Sequence, residues 1–196
     1  RKHSEVLNKL AFLLIAVTLL SCKEEIPTPK PQGYFRIDLP AAKYREKEPE
    51  YCPIKFPLSE NGRIEYTSST TDPKCWFNLS YTSLDAKIYF TYKEVDGNLR
   101  ELIEESRTLT YEHQAKANRI REKIISDTSR SVYGLVYDLG GAVASPVQLY
   151  LTDSTSHFLR GSLYFNARPN PDSIDPVLEF IKQDIDRFVE ELEWKD

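Results

Sequence analysis

Apolar and polar residues alternate through the middle of the chain. The segments Ile64–Thr67, Trp76–Tyr81 and Ile88–Tyr92 change character at every second position, the period of a strand with one face buried. The short joint Ser83-Leu84-Asp85 between the last two predicts a hairpin. The period then lengthens. After Asp96-Gly97-Asn98, apolar residues recur at Leu99, Leu102, Ile103 and Leu109, which predicts a helix capped by Asn98 with Glu101 and ending near Lys116 to Asn118.

Strand character returns at Ile120–Ser126 and Ser131–Leu139, on either side of the turn Asp127-Thr128-Ser129-Arg130. Gly140-Gly141 reads as a flexible loop leading to Ser145-Pro146. A third hairpin follows, Val147–Leu151 and His157–Phe165 about the polar turn Thr152–Ser156. In its first strand Val147, Leu149 and Leu151 face one way and Gln148, Tyr150 and Thr152 the other, as in a half-buried strand. Asn170–Ser173 reads as a loop, Asp175 as a cap and Pro176 as the first residue of a last helix. The stripe Val177, Ile181, Ile185, Phe188, Val189 and Leu192 gives that helix an apolar face. The predicted fold class is α+β: an antiparallel sheet of several hairpins, with one helix inserted mid-chain and one C-terminal helix packed on the sheet.

The first residues follow another logic. Arg1, Lys2 and Lys9 precede an apolar run, Leu10–Leu20, that ends at Ser21-Cys22 and the charged triplet Lys23-Glu24-Glu25. As a helix this run reaches only about 16 Å, half of the ~30 Å a spanning helix must cover. It predicts a secretory signal peptide over 1–21. Cys22, directly behind Leu19-Leu20-Ser21, is placed as the lipidated cysteine of a bacterial lipoprotein. The triplet reads either as a surface-export signal or as a solvated linker. Residues 22–32, with Pro at every second position from Pro27 to Pro31, predict an extended tether, and 33–196 a single globular domain.

Composition narrows the chemistry. The 196 residues carry 26 Lys and Arg against 30 Asp and Glu, a net charge of −4. Without residues 1–21 the balance is 23 against 29, or −6. That sign opposes phosphate tracking, so nucleic acid is not an expected partner. With Cys22 assigned to lipid, Cys52 and Cys75 remain, in an exported chain most simply a disulfide, with a pair of free thiols as the alternative. No CxxC pair or close His pair accompanies them, so no metal and no cofactor are expected.

A catalytic reading of Asp153, Ser154, Ser156 and His157 is disfavoured. These residues are too close along one turn for triad geometry, and there is no GxSxG elbow. Gly140-Gly141 lacks the Lys-Ser/Thr of a phosphate loop. The expectation is therefore no enzyme. The segment Thr152–Ser156 reads first as a turn held by Asp and Ser side-chain hydrogen bonds, with His157 and Arg160 beginning the return strand; in the functional alternative Asp153, Ser154, His157 and Arg160 form a partner-binding loop. Tyr34, Phe35 and Arg36 behind the tether read equally as an interface anchor, an aromatic and Arg combination favoured at interfaces, or as an N-terminal edge strand.

In order, Gly33-Tyr-Phe-Arg-Ile-Asp-Leu-Pro40, Cys52-Pro53, Cys75-Trp-Phe-Asn78, Tyr111-Glu-His113 with Lys116-Ala117, Gln148–Ser154 and His157–Phe165 form a set. From Cys22 to Trp194-Lys195 the chain resembles the gliding-motility lipoprotein family GldD of Bacteroidota. The resemblance implies a membrane-anchored lipoprotein of the cell envelope, at the outer membrane, that supports gliding motility and the associated type IX secretion machinery as a non-catalytic scaffold or stabilising component. Its expected partners are the membrane, through the N-terminal lipid, and other gliding and type IX secretion proteins. The alternative is a lipid-anchored periplasmic or surface module, with or without catalysis, that binds a small molecule or glycan; the many Tyr and Trp side chains motivate it.

Overall fold

In the computed structural model, residue 3 and residues 39–66, 75–112, 116–166 and 171–195 are described, the side chains of 171–173 excepted. Tyr34, Phe35, Arg36 and Cys22 lie outside them, as do His113, the tether and all of the signal segment but His3. The chain divides into two units, Arg1–Phe35 and Arg36–Asp196. Of the first, only His3 is described, as a helical residue. The strands and the two long helices belong to the second.

Its strands are β1 (Tyr44–Lys47), β2 (Ile54–Ser59), β3 (Arg63–Tyr66), β4 (Trp76–Tyr81), β5 (Ala86–Glu94), β6 (Ala117–Asp127), β7 (Val132–Gly141), β8 (Val147–Thr152), β9 (His157–Phe165) and β10 (Glu193–Trp194). Helix α1 (Leu99–Tyr111) is inserted mid-chain, and α2 (Pro171–Glu191) follows the last long strand. Seven strands form one antiparallel sheet in the order β3-β4-β5-β9-β8-β7-β6. A smaller sheet, β1-β2-β10, joins the beginning of the folded body to its end.

The two faces of the large sheet are covered by different helices. On one, the apolar side chains of α2 pack against Leu149, Leu151, Leu159 and Leu163 and against Ile54, Phe56 and Leu58 of β2. Four rings, Phe56, Phe77, Phe90 and Phe188, lie with neighbouring centroids 4.7–5.7 Å apart where the two sheets and α2 meet. On the other face, Leu102 of α1 packs with Tyr137, Leu139, Tyr150 and Phe158. All six residues of β8 are consequently buried. The half-buried strand expected from its alternation is corrected: Gln148, Tyr150 and Thr152 face α1, not water.

Several boundaries differ from the expectations, for local reasons. Helix α1 ends at Tyr111, not at Lys116 to Asn118, because Ala117 already pairs with Gly141 of β7. Gly140 and Gly141 are thus strand, not a flexible loop. The register shifts between Ala117 and Arg119, and Gly141 absorbs the bulge: its φ is +104° and a Cβ there would fall 2.8 Å from the Lys116 carbonyl oxygen. Asn98 does not cap α1 with its side chain. Its Oδ1 instead accepts the Asp96 N–H at 2.9 Å, closing the preceding turn. Helix α2 begins at Pro171, one and a half turns before Pro176. Pro171 supplies the N-terminal proline position, and Pro176 removes only one early N–H donor.

A half-buried hydroxyl-carboxylate contact holds β1 to α2. Tyr44 donates its phenol proton to Asp184 Oδ1 at 2.6 Å, and burial together with this acceptor pushes the Tyr44 phenol up to about 12. The Arg187 guanidinium lies 5.6 Å from the same ring.

Candidate functional site

The disulfide between Cys52 and Cys75, Cα atoms 4.8 Å apart, ties the loop before β2 to the start of β4. Each cysteine has an aromatic neighbour in sequence, Tyr51 and Trp76, and both side chains reach the surface, 66% and 40% exposed. Tyr66 at the end of β3 and Tyr92 on β5 complete the aromatic lining of an open cleft of about 1200 Å³ over the disulfide. Lys47, Glu48, Glu50, Lys93, Glu94 and Lys195 supply its charged rim.

Backbone contacts set this geometry. A turn closed by Cys52 N–H on the Pro49 carbonyl (3.3 Å) carries Tyr51 in a left-handed conformation with φ +60°, aiming its ring outward. The Glu50 N–H donates to Tyr66 Oη at 2.8 Å, and the Tyr92 N–H to the Cys75 carbonyl at 3.1 Å. Lys195 closes one end: its N–H donates to Pro53 O (2.9 Å) and its ammonium to Glu48 Oε2 (2.6 Å). That contact holds the Glu48 carboxyl below its ordinary value, while a hydrogen bond with Glu50 raises the Tyr51 phenol.

The cleft adjoins the corner where β8 turns into β9. There Asp153 Oδ1 accepts N–H bonds from Thr155 (3.0 Å), Ser156 (2.8 Å) and His157 (2.8 Å), and Oδ2 accepts the Thr155 hydroxyl (2.6 Å). Burial raises this carboxyl, but the Thr155 hydroxyl and the three N–H donors outweigh it and hold the group at about 2. Ser154 sits at φ +72° with its N–H on Thr152 Oγ1 at 2.9 Å. His157 Nδ1 shares a 2.7 Å hydrogen bond with Tyr92 Oη. Burial first, then Glu94 and Asp153, push that phenol up to about 12.

Over residues 24–194 the chain matches the family described as gliding motility lipoprotein GldD. The chain belongs to that family. GldD membership makes it a gliding motility lipoprotein, lipid-anchored in the cell envelope. No curated protein matches it. Among solved structures, the solution structure of cyanobacterial PsbP (CyanoP) from Synechocystis sp. PCC 6803 is similar, at 10% identity and a TM-score of 0.47, over 84% of this chain and 99% of that one.

In this GldD-family chain, Asp153, Ser154 and His157 come together at one corner, and Arg160 does not join them. Strand alternation puts His157 on the α2 face and Arg160 on the α1 face, where its Nη2 donates to Gln148 Oε1 at 2.9 Å. The aromatic cleft itself went unread in the sequence, since its walls come from segments as distant as 47 and 195. The pairing of each cysteine with an aromatic neighbour was the available signal. Among the described residues, no helix is long and apolar enough to cross a membrane and no group of three or more His, Cys, Asp and Glu side chains is placed to hold a metal ion.

Proposed function

We propose that this chain is a lipid-anchored docking component that supports gliding motility and the associated type IX secretion machinery without catalysing a reaction. In this reading residues 1–21 are removed as a signal peptide, Cys22 carries the lipid at the outer membrane, 22–32 form a tether and 33–196 form the docking body. The observation that carries the docking role is the aromatic cleft. Outward-facing rings braced by a disulfide and framed by charges of both signs resemble the anchor-and-rim composition of protein interfaces. The polar groups at the neighbouring corner support binding over catalysis, because each is engaged: Asp153 by its own turn, His157 by Tyr92 and Trp194. Asp153, Ser154 and His157 extend the docking surface beyond the cleft, and Tyr34, Phe35 and Arg36 are proposed to contribute from the tether side.

Deletion of the gene in its own host, followed by restoration with wild type, Cys22→Ala or Tyr51→Ser/Trp76→Ser, tests the reading. Colony spreading and release of secreted proteins are expected to return with wild type alone, while immunoblots show the cleft variant present at normal level. Full restoration by the cleft variant would remove the cleft from the function. Persistence of both traits in the deletion strain would remove the motility role. The exposed rings favour one second reading, stacking against a glycan, and retention of the chain on immobilised polysaccharide, lost with Tyr51→Ser/Trp76→Ser, would select it.

A further inference from the structure

The large sheet ends on one side at β6, whose outer edge carries no strand among the described residues. At eleven residues β6 is the longest of the described strands. Its pairing with β7 runs without interruption from Arg119 to Asp127, the register shift lying at its very start. A long regular edge presents a row of free N–H and C=O groups, which proteins ordinarily blunt by shortness, a proline or a bulge within the strand. None of these interrupts 119–127. Ile124, within this stretch, is 77% exposed, more than any other large hydrophobic side chain described.

The side chains along the edge decide what can pair with it. A second copy related by a two-fold axis through the sheet keeps each side chain on its own face, so the axis sets one residue of β6 opposite itself. An axis at Arg119, Arg121, Glu122 or Lys123 places two like charges directly opposite one another, and one at Ile120 places Arg119 against Arg121. An axis at Ile124 produces no such clash. It lays Ile124 on Ile124 of the second copy, Arg121 on Asp127, Glu122 on Ser126 and Lys123 on Ile125. Axes nearer either end pair fewer residues, and at Ile125 the exposed Ile124 would meet only Ser126. Arg121 has no ion-pair partner of its own among the described residues, whereas Arg119 has Asp138 at 3.5 Å and Lys123 has Asp186 at 2.8 Å.

We propose that β6 pairs antiparallel with β6 of a second copy, on a two-fold axis at Ile124, so that the large sheet continues from one copy into the other. Ile124 is then covered by its own counterpart, and Arg121 gains an acceptor twice over. Strands β3 and β4, which carry the disulfide cleft, stand at the far end of the sheet, so a cleft stays open at each outer end of the pair. The contact is narrow, and attachment of both copies by lipid to one membrane favours it by raising their local concentration.

Single cysteines on β6 of the mature lipidated chain, in liposomes of phosphatidylethanolamine and phosphatidylglycerol under mild oxidation, test the pairing; Cys52 and Cys75 are already bonded and do not compete. Opposed residues of an antiparallel pair have Cα atoms roughly 4.5–5.5 Å apart, within disulfide reach, whereas residues two positions off the axis lie about 14 Å from their own counterparts. Ile124→Cys is therefore expected to give a covalent dimer. Glu122→Cys and Ser126→Cys should each stay monomeric alone and cross-link when mixed. Adding Ile124→Lys to both members of that mixture, which opposes two ammonium groups on the axis at an exposed position, should abolish the cross-link. Equal cross-linking of all three single variants would report random collision, and a monomeric Ile124→Cys would leave the edge unpaired; either result overturns the proposal. Capture of Ile124→Cys by a different protein in whole envelopes, in place of its own copy, would give the edge to another occupant and overturn it as well.

Discussion

The imidazole of His157 lies flat on the indole of Trp194, with centroids 5.1 Å apart and planes within 9°. Trp194 Nε1–H donates to the Ser131 carbonyl at 3.0 Å, and His157 Nδ1 shares its other contact with Tyr92. One stacked pair therefore ties β10 to the start of β9 and to the turn between β6 and β7. Trp194→Ala is expected to destabilise the fold by about 2 kcal/mol, less than a fully buried Trp because the ring is only partly covered. His157→Ala should lower stability by about 1 kcal/mol, and His157→Phe, which keeps the stack, by less. Urea midpoints read both. Equal midpoints for wild type and Trp194→Ala would show that the stack is ornamental.

Acid should loosen the β8–β9 corner. The Asp153 carboxyl stands at about 2, below its ordinary 3.8. A depressed folded-state pKa gives stability that is complete above about pH 4 and is lost as pH falls toward 2. Asp153→Asn cannot titrate, so its urea midpoint should decline less steeply than that of wild type between pH 4 and 2. Parallel declines would assign the acid sensitivity elsewhere, for example to Asp127 or Glu65, which are also held at about 2.

Reduction should be felt by the whole body. Cys52 and Cys75 are separated by 23 positions, a loop for which the chain-entropy model gives about 3 kcal/mol. A reductant is expected to lower the Tm of wild type, while Cys52→Ser/Cys75→Ser starts low and does not respond. An unchanged wild-type Tm under reductant would contradict this.

Gly134 of β7 stands directly against the backbone of β8. A Cβ at this position would fall 2.0 Å from the Tyr150 carbonyl oxygen, a backbone atom that cannot rotate away. Gly134→Ala is expected to destabilise by about 3 kcal/mol or to prevent accumulation of folded protein. Thermal unfolding of the variant decides, and a loss below 1 kcal/mol would mean that the strands separate easily.

The large sheet was legible because alternation and polar turns coincide in it: Trp76–Tyr81 and Val147–Leu151 carry both signals. The small sheet was not. Tyr44-Arg-Glu-Lys47 shows no apolar period, and Pro57 argues against a strand although Ile54, Phe56 and Leu58 alternate correctly. Pro57 is tolerated because β10 reaches only Lys55, so the strand has a single neighbour at that point. Arg160 illustrates a different limit. Its place in a strand was readable, but which helix covers which face depends on packing between residues fifty positions apart, and this turned a suspected surface contact into a half-buried one.

The position of Cys52 also governs how the folded body would take mechanical load. A pull on the chain ahead of Leu39 can peel away β1 and the loop behind it, residues 39–51, an extension of about 43 Å at roughly 3.3 Å per residue. Peeling then stops at a covalent bond. Beyond Cys52 the tension passes across sulfur into β4, an interior strand of the large sheet, and β2 with its aromatic contacts stays in place. The disulfide thus acts as a stop that limits unravelling to thirteen residues and hands the load to the hydrogen-bonded ladder of the large sheet.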